Sequence, residues 1–210
     1  MNTKNVRAKT ISRLKENNVP MHPHLPLIDI RGLRSTEEVC EKIIALYSLA
    51  GLANGATGIQ LKEWLINENA WGYLSKTEQE LINNNNLKPE ELNEVSWKQE
   101  SLYTLCWAGG ITNEIVWPKN ESDLSDIFQH IPPEKTFTDF FRSFKLIPLK
   151  NLVEQLDLYY CLHASVVHPE LWKDTNLRDQ LKIEVILERR QALEWLCSKS
   201  IKWDEVSLDT

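Results

Sequence analysis

The spacing of the apolar residues is the feature that most restricts how this chain can fold. These residues recur at steps of three and four positions, which places them along one face of an α-helix. Between positions 35 and 53 this face carries Val39, Ile43, Leu46, Tyr47 and Ala50. No alternating Val- or Ile-rich stretch is long enough to demand a β-sheet. The pattern predicts an all-α protein.

Capping residues and glycines predict where individual helices begin and end. Ser35 with Glu38, and Ser75 with Glu78, match the capping box, which satisfies backbone N–H groups at a helix start. Gly109 and its neighbour can take the left-handed conformation that ends a helix. Similar signals predict further helices over 96–106, 122–130, 138–144, 148–167 and 176–198. We expect about seven to nine helices in all.

The first 34 residues are predicted to form a helix followed by an extended arm rich in proline and histidine. Pro20, Pro23 and Pro26 interrupt the arm, because proline inside a helix removes a hydrogen bond and clashes with the preceding turn. Residues 35–210 are predicted to form the helical core. The eight tryptophans recur beside Leu and Ile at helical spacing, which predicts a Trp-rich core.

Length and composition indicate one globular domain. A chain of 210 residues with 42% hydrophobic and 26% charged residues can bury a core of its own. No internal repeat and no Gly/Ser-rich linker divides the sequence. We therefore expect a single compact domain over 1–210. Poor helix formers at 83–88 leave open a hinge between two lobes as the alternative.

Charge and cysteine usage restrict location and partners. The 30 acidic and 24 basic side chains give a formal net charge of −6, which argues against nucleic acid or an anionic membrane as a partner. No stretch approaches the ~20 apolar residues of a membrane span, and the polar N-terminus does not resemble a signal peptide. The cysteines are predicted to be buried thiols of a reducing compartment: Cys40, Cys106, Cys161 and Cys197. We expect a cytoplasmic protein.

The last predicted helix carries an arginine on its inward face. Arg189 lies four residues after Val185 and three before Ala192, so it shares their face. A buried arginine needs a carboxylate, and Asp157 or Glu100 could supply it from an earlier helix. Such an ion pair usually ties helices together. By the same spacing, Arg190 is predicted to lie off this face, in a solvated pair with Glu194. Partial burial of Arg190 stays open, because Ile186, Leu187 and Leu193 widen the apolar face.

A functional interpretation of the inward charges remains open beside the structural one. In it, four residues converge in one interhelical cavity that binds a small polar ligand or shifts the pKa of a carboxyl group. These residues are Glu100, Asp157, His163 and Arg189.

Neither the histidines nor the known catalytic motifs indicate a metal, a cofactor or a familiar enzyme class. His22 and His24 form a close pair, but a metal would need more ligands, from His130, His168 or a carboxylate. The sequence contains no nucleotide-binding glycine motif, no serine nucleophile elbow and no zinc-protease motif. We expect no metal and no cofactor, and we favour a binding protein over an enzyme.

Several short segments carry a specific combination of residues. They are Arg34-Ser35-Thr36-Glu37-Glu38-Val39, Ser96-Trp97-Lys98-Gln99-Glu100-Ser101-Leu102, Trp107-Ala108-Gly109-Gly110, Asp157-Leu158-Tyr159-Tyr160 and Glu188-Arg189-Arg190-Gln191-Ala192-Leu193-Glu194-Trp195-Leu196. Together with the ending 203–210, they resemble the domain-of-unknown-function family 4272. The resemblance covers about 13–210, and it implies an all-helical bacterial domain without an assigned activity.

The chain departs from this family after Tyr160. The family usually has an Arg there and then a His-Trp pair, whereas this chain has Cys161 and then His163 with Ala164. A family role that depends on the Arg and the Trp is therefore not implied for this chain.

Two functions from different classes follow from these observations. The first is an accessory protein without catalytic activity, with an immunity-type factor as its narrower form, whose acidic helical surface binds another protein. The second is a small-ligand-binding protein or hydrolase that uses the predicted polar cavity.

Overall fold

In a computed structural model that describes residues 2–209, the chain is built from α-helices joined by turns and short loops, and this part of the chain contains no β-strand. The helices are α1 (Thr3–Glu16), α2 (Thr36–Ala53), α3 (Gly58–Asn67), α4 (Lys76–Asn83), α5 (Pro89–Ser96), α6 (Lys98–Ala108), α7 (Ser125–Phe128), α8 (Phe137–Ser143), α9 (Leu149–Val167), α10 (Thr175–Asp179) and α11 (Ile183–Leu196). Short 3₁₀ turns lie at Trp71–Tyr73, Pro169–Leu171 and Trp203–Glu205. The protein is all-α.

The described residues contain eleven α-helices, more than the predicted seven to nine, because α3 and α5 were not predicted and one predicted helix is divided. Residues 176–198 were expected to form one helix, but α10 ends at Asp179 and α11 begins at Ile183. Between them, the extended backbone of Lys182 donates its N–H to the carbonyl of Pro118 at 2.8 Å. In addition, α5 begins at Pro89, which suits a first helical turn because proline has no N–H to lose there.

The helices pack around one continuous core. The central helix α2 packs against α6, which also packs against α11, while α9 lies between α11 and α1. The innermost positions are mostly aliphatic, among them Ile43, Leu46, Leu49, Leu102, Leu105, Leu162 and Leu196. Trp107, Trp172, Trp195 and Trp203 are buried nearer the edge of the core. This distribution fits the size of the indole, which rarely becomes fully buried.

The segment between α1 and α2 has no helix and runs along the ends of α9 and α11. The Ser165 hydroxyl of α9 donates to the carbonyl of Pro20 at 2.6 Å. Further along, the backbone N–H groups of Arg31 and Arg34 donate to the carbonyls of Cys197 and Leu196, each at 3.0 Å. These bonds attach the segment to the core at both of its ends. We call it the arm, residues 17–35.

The four cysteines are buried free thiols. Burial raises the pKa of the Cys40, Cys161 and Cys197 thiols to about 12, so these side chains stay protonated at neutral pH. They pack as small apolar side chains rather than as nucleophiles. No helix within residues 2–209 is both long and apolar enough to cross a membrane.

Candidate functional site

Arg189 of α11 and Glu100 of α6 form a fully buried ion pair, with both side chains 0% exposed. The Arg189 Nε donates to Glu100 Oε2 at 2.9 Å. Its Nη1 donates to the Tyr159 hydroxyl and to the Val116 carbonyl, each at 2.6 Å, and its Nη2 donates to the Ser122 hydroxyl at 2.9 Å. Every nitrogen of the guanidinium is thus bonded, which ties α6, α9 and α11 together.

Asp157 of α9 pairs with Arg7 of α1 instead of with Arg189. The Arg7 Nε donates to both carboxylate oxygens of Asp157, at 3.0 and 3.1 Å, and its Nη2 donates to Oδ1 at 2.8 Å. The same guanidinium donates to the arm carbonyls of Leu25 at 3.1 Å and Pro26 at 2.8 Å. Asp157 is 0% exposed and Arg7 6%. One ion pair therefore joins α1, α9 and the arm.

His163 of α9 lies against Arg190 of α11, and both side chains are buried. The neutral His163 Nδ1 accepts a hydrogen bond from Arg190 Nη1. Arg190 also donates to the carbonyls of Leu208 at 2.8 Å and Asp209 at 3.0 Å, which holds the last described residues on the core. Arg190 was predicted to be solvated, but it is 2% exposed because these residues fold back over it.

The four predicted site residues therefore belong to three separate clusters. None of them lines any of five clefts that open on the described surface. Each charged member has its partners among protein groups, and the clusters join helices that are distant in the sequence. This arrangement suits the structural interpretation of the inward charges.

Two buried cations were not predicted from the sequence: Arg7 of the Asp157 cluster and Lys42, which forms a further buried ion pair with Glu78. Arg7 lies three residues before Thr10 and seven before Leu14, so it shares the buried face of α1. Lys42 likewise lies three residues after a buried valine of α2, and its Nζ donates to both Glu78 carboxylate oxygens at 2.8 and 2.9 Å. The Lys42 Nζ also lies 4.6 Å from the centre of the Trp203 ring. A lysine or arginine at an inward position of a helix was therefore the sequence signal for these two ion pairs.

A groove between α4, α5 and α11 is one of the five clefts on the described surface. Its volume is about 450 Å³. The floor is apolar and consists of Leu81, Val95, Trp97 and Leu187, and the rims carry Glu91 and Glu94 on α5 and Glu184 and Glu188 on α11. Lys98 is the one basic residue of the lining.

Part of the rim is already neutralised within the protein. The Lys98 Nζ donates to Glu188 Oε1 at 2.5 Å, and the Ser101 hydroxyl donates to Glu188 Oε2 at 2.7 Å. Glu94 and Glu184 are exposed and form no ion pair within residues 2–209. Among the described residues, the groove thus keeps an exposed, unpaired glutamate on α5 and another on α11 beside its apolar floor.

Comparison with known proteins gives a family and no relative of known role. The model of the family described as "Domain of unknown function (DUF4272)" matches residues 7–206. The chain belongs to this family. Neither a curated protein nor a solved structure matches it.

In this DUF4272 member, the segments that resemble the family lie where the buried charges are. Glu100 is in segment 96–102, Asp157 in 157–160, and Arg189 in 188–196. Helix packing therefore accounts for these three charged residues. The Trp97 and Lys98 positions of the groove lie in the first of them.

The close histidine pair of the arm meets His168 rather than His130. The ring centres of His22 and His168 are 4.7 Å apart, those of His22 and His24 are 6.2 Å apart, and His168 Nδ1 lies 2.8 Å from Glu170 Oε1. Within residues 2–209, however, no group of three or more His, Cys, Asp or Glu side chains is placed to hold a metal ion.

Acid is expected to destabilise the protein through His163. Burial, and then the nearby charge of Arg190, lower the pKa of His163 to about 4, whereas an unfolded histidine titrates near a pKa of about 6.5. As the pH falls below about 6.5, the unfolded chain takes up this proton and the folded chain does not, so stability falls until about pH 4. Between about pH 7 and pH 5 the His163→Gln variant should lose about 2 kcal/mol less unfolding free energy than the wild type. Urea denaturation at both pH values measures this, and equal losses would contradict the assignment.

Proposed function

We propose that this DUF4272-family chain is an accessory protein that acts by binding another protein, in the cytoplasm of a bacterial cell. An immunity-type role, in which the partner is an effector, is the narrower form of this proposal. The observation that carries the proposal is the groove between α4, α5 and α11, with an apolar floor left open between acidic rims. Apolar surfaces bounded by polar residues are typical of protein-binding sites.

Trp97 is the residue of this groove best suited to contact a partner. It is half-buried in the floor, and within residues 2–209 its indole N–H donates no hydrogen bond to the protein. Tryptophan is enriched among the residues that dominate binding energy at interfaces. A partner could cover its apolar face and accept its N–H bond at the same time.

The alternative, a small-ligand-binding protein or hydrolase, has less support because its predicted cavity residues lie apart. Glu100 is bonded to Arg189, Asp157 to Arg7, and His163 to Arg190. A ligand would have to displace these buried bonds, which costs several kcal/mol per unpaired charge.

A partner-isolation experiment with matched charge variants tests the proposal. The Glu94→Lys/Glu184→Lys double variant reverses the groove rim, and Glu68→Lys/Glu134→Lys makes the same charge change at exposed positions outside the groove lining. A partner recovered stoichiometrically from native cells is then purified and titrated by calorimetry. We expect binding to the wild type and the control, and at least about tenfold weaker binding to the groove variant. Equal binding to all three, or no stoichiometric partner, would reject the proposal.

A further inference from the structure

We infer that the groove binds a basic amphipathic helix of the partner, an inference that rests on the protein-binding function proposed above. The groove consists of helical walls, an apolar floor and two acidic rims. Each of these three features restricts the occupant in a different way, through its backbone, its apolar side chains and its charge.

The walls favour a helix over an extended peptide. They are formed by α4, α5 and α11, and no strand edge exists within residues 2–209 to pair with an incoming strand. An extended peptide gains affinity mainly from main-chain hydrogen bonds to such an edge. A helix satisfies its backbone groups internally and can therefore lie on apolar side chains without leaving unpaired N–H and C=O groups.

The floor favours a row of apolar side chains on one face of that helix. A volume of about 450 Å³ accommodates a few side chains and not a whole helix. The helix would lie across the groove and insert apolar residues from adjacent turns against Trp97 and Leu187. This is the helix-in-groove mode, in which residues three, four and seven positions apart act as anchors.

The rims favour lysine or arginine beside that apolar face. Glu91 and Glu94 line the groove from α5 and Glu184 lines it from α11, while Glu188 is held by Lys98. A basic helix would place positive charge against both rims, whereas an acidic helix would meet like charge. A second copy of this chain is disfavoured as the occupant because its net charge is also −6.

Another apolar cleft lacks this charge selectivity. It lies between α1 and residues 171–177 and has a volume of about 480 Å³. Its charged lining residues are Lys15, Lys173 and Asp174, which are of mixed sign. Of these two apolar clefts, the groove between α4, α5 and α11 is the one whose charged lining residues are mostly acidic, four glutamates against Lys98.

A set of synthetic peptides tests this inference without the natural partner. The probe is a fluorescein-labelled peptide of about four helical turns with leucines on one face and lysines on its flanks. Its controls replace the lysines with glutamates, move the leucines off one face at constant composition, or place a proline at the centre. Fluorescence anisotropy with the full chain should show that the basic probe binds at least about tenfold more tightly than any control peptide. Added salt should weaken the binding of the basic probe, because it screens the charges.

Protein variants complete the test. The Glu94→Lys/Glu184→Lys variant should bind the basic probe more weakly and the acidic peptide more tightly than the wild type does. The Glu68→Lys/Glu134→Lys variant should leave the order of the peptide affinities unchanged. The Trp97→Ala variant, with its folding checked by circular dichroism, should bind the basic probe more weakly than the wild type does. Equal binding of acidic and basic peptides, unimpaired binding of the proline peptide, or no binding of the basic probe would overturn the inference. If the groove variant loses the natural partner yet no basic helix binds, the protein-binding function stands and the helical, basic chemistry is wrong.

Discussion

The Arg189→Ala variant is expected to lose about 3–5 kcal/mol of unfolding free energy, the usual cost of removing one partner from a buried ion pair. The loss arises because Glu100 would stay 0% exposed without its cation. The Tyr159 hydroxyl and the Val116 carbonyl would also lose a donor. Equilibrium denaturation in urea, with circular dichroism as the probe, measures the change.

The neighbouring variant Arg190→Ala serves as the comparison. Arg190 is also buried, so its removal should cost about 1–2 kcal/mol rather than the negligible amount of a solvated side chain. The cost stays smaller because its acceptors are two backbone carbonyls, the neutral His163 and the partly exposed Glu194. Removing Arg190 therefore leaves no fully buried charge unpaired. If Arg190→Ala lost as much unfolding free energy as Arg189→Ala, or more, the Arg189 cluster would not be the larger contributor to stability.

Helical spacing predicted the inward position of Arg189 because that information is local. Residues three and four positions apart share a helix face whatever the tertiary structure is. The all-α class and the capping boxes of α2 and α4 follow from the same local physics, and the structure has both boxes at Ser35 and Ser75.

The partners of the inward charges depend on tertiary packing, which spacing along one helix does not contain. Glu100 and Asp157 were equivalent candidates for Arg189, and the choice between them is made by which helix lies opposite. Because α1 packs on α9, the side chain that pairs with Asp157 is Arg7 and not Arg189. The exposure of Arg190 was mispredicted for a similar reason, because the covering residues 208–209 lie beyond the helix. The break before α11 likewise depends on a bond to the distant Pro118.

The groove was not predicted at all, since its lining comes from four helices. Its acidic residues look like ordinary solvated positions within each helix, and only the tertiary fold brings those of α5 and α11 to the same groove. The net charge of the chain gave a related but weaker signal, the expectation of an acidic binding surface.

The Asp157→Ala variant should lose about 3–5 kcal/mol of unfolding free energy and should also loosen the middle of the arm, at Leu25 and Pro26. Without Asp157, the buried guanidinium of Arg7 has only the carbonyls of Leu25 and Pro26 as acceptors. Arg7 is then expected to turn toward solvent, which removes both arm bonds together with the ion pair. Urea denaturation measures the loss of stability, and limited proteolysis followed by mass spectrometry should detect faster cleavage within residues 17–35.

Glu154→Ala is the matched control, because Glu154 lies one turn earlier on α9 and also pairs with α1. Its bond to Lys9, at 2.6 Å, joins side chains that are 29% and 57% exposed, so solvent can replace the interaction. We expect a loss below about 1 kcal/mol and unchanged cleavage of the arm. Both variants remove one carboxylate from the same helix interface, and they differ mainly in burial and in the contact with the arm. If the two lost equal stability, or if Asp157→Ala lost stability without faster arm cleavage, Arg7 would not be the residue that couples the arm to the core.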